Sequence, residues 1–118
     1  MKREQRLRTP AEFAHVRELA SRSWPHRLLV LYVAPNDLDR ARVGITVSGR
    51  VGKAVARNRI RRRLREALRA RIERIKKGQD ILVIARPPSA RATWPELTQA
   101  LDILLSRAAA TQPTSACV

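Results

Sequence analysis

The chain has 118 residues, enough for one compact domain but too few for two independent cores. Apolar residues make up 44% and aromatics only 3%, so a core must be built from Leu, Ile, Val and Ala, and a folded domain is expected rather than a disordered basic tail. A net charge of +15 calls for a polyanionic partner, while the single cysteine, Cys117, excludes an internal disulfide or thiolate metal cluster and agrees with a reducing compartment.

The charged opening, residues 1–8, is not followed by the apolar segment of a secretory signal. The longest apolar runs, Leu28 to Ala34 and Ile81 to Ala85, fall far short of the roughly 20 residues that span a bilayer. A soluble, cytoplasmic protein is expected.

Thr9-Pro10-Ala11-Glu12 reads as a capping box with proline at the first helical position, opening a helix from about Pro10 to Ala20. Phe13, Val16 or Arg17, and Ala20 share one face of it. Arg27 to Ala34 and Arg42 to Ser48, separated by the turn formers Pro35 to Asp39, read as an antiparallel pair of strands, with Trp24 leading into the first. Beyond Gly49 and Gly52 the spacing of Ile60, Leu64, Ala67, Leu68, Ile72 and Ile75 predicts the longest helix, ending near Lys77-Gly78. Asp80 to Arg86 is a buried-type strand halted by Pro87-Pro88. Thr93-Trp94-Pro95-Glu96 repeats the cap signature before a helix whose apolar face is Leu97, Leu101, Leu104, Leu105 and Ala108. The expected class is α+β, a two-layer α/β sandwich of order α-β-β-(β)-α-β-α, in a single domain over residues 1–110 with a frayed tail over residues 111–118.

Function concentrates between Arg50 and Lys77, where thirteen Lys and Arg residues face only Glu66 and Glu73. At about 100° per residue, Asn58, Arg62, Arg65 and Arg69 fall opposite the Ile60-Leu64-Leu68 stripe, with Arg59 and Arg61 on its flanks. Guanidinium groups grip phosphate oxygens with two donors and stay charged, so this face suits a nucleic-acid backbone and binding should weaken steeply with salt. An ordinary charged helix face is solvated and mixed in sign; this one is not mixed. Gly49-Arg50-Val51-Gly52-Lys53-Ala54 is not a nucleotide-hydrolysing loop, because Val47 stands where the first glycine is required and Ala54 where Ser or Thr is. A glycine-loosened loop before a helix N-terminus remains a general phosphate site.

The run Lys53 to Glu66, containing Arg57-Asn58-Arg59, closely resembles the RNR motif region of the bacterial ribonuclease P protein-subunit family. Leu7, Glu12-Phe13, Leu31-Tyr32, Arg42-Val43-Gly44, Ser48 and Ile84-Ala85-Arg86-Pro87 follow the family's order around it. The resemblance implies a subunit that joins a catalytic RNA, helps it hold precursor tRNA, and lets the RNA remove the 5′ leader. Carried over by position, Arg57, Asn58, Arg59, Arg61, Arg62 and Arg65 would contact the catalytic RNA, on a basic surface that Arg50, Lys53 and Arg69 extend. Phe13 and Tyr32, with Arg17 and Ser48, would line the leader cleft. The resemblance also implies an unusual left-handed βαβ crossover. Two residues depart from the family's pattern: Arg17 stands where a second aromatic is frequent, and Gly49 where a basic residue is common. Read alone, Phe13 fits a core residue on the inner face of its helix better than a stacking platform, and the resemblance brings the two readings level.

No catalytic residue and no metal ligand is assigned to the chain. Its carboxylates are scattered, Asp37 and Asp39 sit in a turn, and neither His15 nor His26 has a carboxylate neighbour in sequence to orient it. The expected partners are the catalytic RNA and precursor tRNA, with no membrane and no obligate protein partner. No cofactor is expected on the protein itself; magnesium would belong to the RNA active site. Other readings are a different RNA-binding module of the ribosomal or assembly type, a DNA-binding helix, disfavoured by the lack of a helix-turn-helix pair, and an interfacial membrane helix over residues 53–77, which lacks anchoring Trp and Phe.

Overall fold

The computed structural model describes residues 3–20, 23–108 and 110; the tail expected to fray lies outside them, as does Cys117. Helix α1 (Pro10–Leu19) starts on the capping box read from sequence. The Glu12 N–H donates to Thr9 Oγ1 at 3.2 Å, and the Thr9 N–H donates to the Glu12 carboxylate at 3.0 Å. Helix α3 (Trp94–Arg107) repeats the device with Thr93 and Glu96. Between them lie β1 (Ser23–Pro25), β2 (Leu29–Pro35), β3 (Arg42–Val47), helix α2 (Ala54–Arg69) and β4 (Gln79–Ala85). The class is the expected α+β, and β1, carrying Trp24, is the optional extra strand.

The sheet order is β1-β2-β4-β3, which corrects the expected pairing of the two segments around Pro35 to Asp39. Strand β4 lies between β2 and β3, antiparallel to β2 (Leu31↔Val83) and parallel to β3 (Ile45↔Val83). The reason is burial: Ile81, Leu82, Val83 and Ala85 have no exposed surface, and a strand apolar on both faces takes a central position. The β2–β3 connection therefore passes over the start of β4. There the Asn36 N–H donates to Gly78 O at 2.9 Å and the Gly78 N–H to Arg40 O at 3.1 Å.

The second correction concerns α2, which stops at Arg69 rather than near Gly78. Arg71 turns its guanidinium back to donate to Ala67 O at 2.8 Å and to Asp102 Oδ1 at 2.6 Å, capping the helix and tying it to α3. A 3-10 turn, Ile72–Arg74, follows, and it keeps Ile72 and Ile75 buried without continuing the helix. Gly78 instead makes the turn into β4, with φ of 83° in the left-handed region that favours glycine.

One sheet face carries Leu29, Leu31, Val43, Val47, Ile81 and Val83 against Ile60, Leu64 and Leu68 of α2 and Leu97, Leu101, Leu104 and Leu105 of α3. The other face carries Ala34 and Leu82, covered by Leu7 and Val16, with Phe13, Tyr32 and Ile84 packed beside them. Because α1 covers only one end of this second face, Val30, Tyr32, Thr46 and Ile84 stay half-buried at the other.

Polar contacts fix α1 in that seat. Arg42 donates from Nε and Nη2 to the fully buried Asp80 carboxylate at 2.9 and 2.7 Å, and from Nη1 to Glu12 Oε2 at 2.8 Å. Asn36 Nδ2 completes the Asp80 shell at 2.7 Å.

Candidate nucleic-acid interface

Anchored by its apolar stripe, α2 exposes Asn58, Arg59, Arg62, Arg65 and Arg69, as the periodicity requires, and Arg61 lies half-buried at the flank. Val55, Asn58, Arg61, Arg62 and Arg65 line a shallow groove of about 530 Å³ along the helix. Asn58 Oδ1 accepts from Arg61 Nη1 at 2.9 Å, so Asn58 aims a neighbouring guanidinium and keeps its own amide N–H groups for an outside acceptor. Val55, 74% exposed, places an apolar surface among these cations, a feature that the charge pattern alone did not signal.

The remaining cations divide by partner. Arg69 is paired with Glu66 one turn earlier, whose carboxyl that hydrogen bond holds below the usual range, so the unopposed row ends near Arg65. Arg63 donates to Ala92 O at 3.2 Å and Arg71 is committed to Asp102; both serve the fold. Arg57 is half-buried, with its Nε buried and without an acceptor among the described residues.

At the start of α2, Lys53 occupies the N-cap without a side-chain hydrogen bond, and no acidic residue stands in the first turn. The first N–H groups of this helix are thus available to an anion, helped by the dipole. Arg50, in the 3-10 turn Gly49–Val51, does not join the α2 row; it lines a separate hollow with Arg27, Arg91 and Pro87-Pro88.

The residues expected to line a leader cleft lie on α1 and on or just after the strands of the half-open sheet face. Tyr32 pairs with Leu82 across the β2–β4 ladder and stands next to Ile84 and Phe13. Arg17 is exposed one helical turn after Phe13. Ser48 closes β3, its Oγ accepting from the Arg50 N–H at 3.2 Å. Strand alternation adds Arg86, which follows Ile84 on this face and donates from Nη1 to His26 O at 2.9 Å.

Phe13 is half-buried and packs over Gly44: a Cβ there would lie 2.7 Å from Phe13 Cε1 and 2.8 Å from Leu7 Cδ1. Glycine at position 44 is what allows α1 and the N-terminal segment so close to β3. Its ring therefore also faces the α2 side of the molecule, where it lines a hollow with Arg61 and Arg65.

Half of the ten acidic residues serve the structure, in helix caps or ion pairs. Glu12 and Glu96 cap helices and have lowered pKa values, chiefly from the backbone N–H groups that they accept, and Asp80 and Asp102 hold arginines. His15 is exposed on α1; His26 accepts from the Leu28 N–H at 3.0 Å through Nδ1, and burial pushes its pKa down. No helix among the described residues is long and apolar enough to cross a membrane.

Known proteins are similar to this chain in sequence and fold. The sequence matches the family model described as Ribonuclease P over residues 1–109. A Ribonuclease P protein component from Herpetosiphon aurantiacus is 45% identical over 108 residues, covering 92% of this chain and 87% of that protein. One from Roseiflexus castenholzii is 44% identical over 113 residues, covering 95% and 92%. The solved RNase P protein of Staphylococcus aureus matches with a TM-score of 0.83 at 32% identity, covering 92% of this chain and 98% of that one. The RNase P protein from Thermotoga maritima matches with a TM-score of 0.77, also at 32% identity, covering 86% and 96%. Over nearly its whole length, in sequence and in fold, the chain belongs to the ribonuclease P protein family.

Proposed function

We propose that the chain is the accessory protein of a ribonuclease P ribonucleoprotein, in which α2 binds the catalytic RNA, the half-open sheet face receives the 5′ leader of precursor tRNA, and the RNA cuts the substrate. The observation that carries this reading is the unopposed row Asn58, Arg61, Arg62 and Arg65 on a helix whose other face is locked into the core. A fixed row of guanidinium groups neutralises phosphates at little ordering cost, because the helix is held in place before the RNA arrives. The uncapped N-terminus of α2, with Lys53 and Arg57 beside it, adds donors at the end of the same surface.

For the leader, the platform Tyr32, Ile84, Val30 and Thr46 offers an aromatic ring and apolar flanks to unstacked bases, with Arg17 and Arg86 at its margins for phosphates. Single-stranded RNA is held in this way without strict sequence demands. Tyr32→Ala is expected to weaken binding of leader-bearing precursor tRNA to the assembled enzyme by about tenfold, from the roughly 1–3 kcal/mol of one base–aromatic stack. Mature tRNA, which has no leader, should bind unchanged. Equal losses for both in an equilibrium binding assay would remove the leader from this face.

A further inference from the structure

A second hollow, of about 340 Å³, lies where three parts of the chain meet: the N-terminal segment, β3 and α2. The N-terminal segment runs along the free edge of β3, with Arg6 bridged to Val43 and the Leu7 N–H donating to Val43 O at 2.8 Å. This lays Arg6 and Arg8 opposite Arg61 and Arg65, so that four arginines and no acidic residue line one hollow. Between the arginines the hollow is lined by Leu7, Phe13, Val43, Gly44 and Ile45, with Leu7 and Phe13 packed over Gly44.

From this geometry we infer that the hollow is a binding site for one unstacked RNA nucleotide, the base against Leu7 and Phe13 and its phosphate among the arginines. Like charges this close are favourable only when an anion lies between them. Arg6 Nε, buried and without an acceptor among the described residues, is a donor left to an outside partner. The volume falls at the lower end of the roughly 300–1,000 Å³ typical of small-ligand sites. The Phe13 ring and guanidinium planes suit a splayed-out base, the form in which single-stranded RNA is read. Arg61 and Arg65 also belong to the α2 row, so the nucleotide comes from the strand bound along that row, the catalytic RNA. This step rests on the function proposed above.

The test is a double-mutant cycle on catalytic-RNA binding by the full chain, with Arg6→Gln, Arg65→Gln and the pair. Each single change should cost about tenfold in affinity, the scale of one charge-assisted hydrogen bond. If both side chains serve one phosphate, the pair should cost clearly less than the product of the two, whereas Arg6→Gln with Arg50→Gln should multiply, Arg50 lying in another hollow. A second variant, Gly44→Ala, pushes Phe13 and Leu7 toward the hollow with every charge intact, and should weaken RNA binding while leaving its salt slope unchanged. Should Gly44→Ala fail to fold, the cycle decides alone. Independent Arg6 and Arg65 effects would overturn the inference. So would a folded Gly44→Ala chain that binds catalytic RNA normally and loses only leader-bearing substrate. Failure of the unmodified chain to bind the RNA would instead overturn the broader function along with it.

Discussion

Arg42 donates to two carboxylates at once, and through Glu12 it joins the cap of α1 to the middle of the sheet. Arg42→Ala would leave the fully buried Asp80 charge without its main partner, and should destabilise the chain by about 3–5 kcal/mol in urea unfolding. Glu12 gives the contact a pH dependence. The Arg8 and Thr9 N–H groups, and more weakly Arg42, lower its folded pKa from an ordinary value of 4.5. Its stabilisation is therefore complete above that ordinary value and is lost as pH falls through the lower folded one. Glu12→Gln should flatten the acid side of a stability–pH curve; an unchanged curve would assign the acid loss to other carboxylates. Thr9, Pro10 and Glu12 were legible in sequence because a cap is local. The Arg42–Asp80 pair was not: the partners are 38 residues apart, and only the β3–β4 register brings them together.

At the scale of the element, α2 shows both what periodicity reveals and where it misleads. The inward Ile60, Leu64 and Leu68 and the outward Asn58, Arg62 and Arg65 follow from 3.6 residues per turn. The end of the helix does not, because Ile72 and Ile75 fit the same spacing while reaching the core through a 3-10 turn set by Arg71 and Asp102. Which cations are free was equally hidden: Arg63, Arg69 and Arg71 look like Arg62 and Arg65 in a list of residues, and only their partners tell them apart. Arg62→Ala should therefore weaken catalytic-RNA binding and lower its logarithmic salt slope by about one unit, the change expected for one lost phosphate contact. Arg63→Ala should leave the slope unchanged and act on stability. Titrations at several salt concentrations would separate the two, and equal slopes for both variants would contradict the assignment of the row.

For the whole molecule, class and element order were readable from local patterns, but strand order was not. Two apolar strands flanking a short turn read as a hairpin until a third strand, apolar on both faces, claims the place between them. That insertion makes the sheet asymmetric in use: one face is sealed by α2 and α3, and the other is half covered by α1 with Tyr32 and Ile84 left partly open. The hollow between Arg6, Arg8, Arg61 and Arg65 was likewise invisible, since it depends on the N-terminal segment lying along the β3 edge. The molecule thus carries a basic helix on one side and an amphipathic platform on its half-open sheet face, while Glu12, Glu66, Asp80, Glu96 and Asp102 are committed to internal contacts. The most direct test is cleavage of precursor tRNA at low magnesium by the cognate catalytic RNA, with the chain, without it, and with the chain alone. Cleavage only when RNA and chain are together is the predicted result; cleavage by the chain alone, or RNA activity unchanged by its addition, would contradict the account.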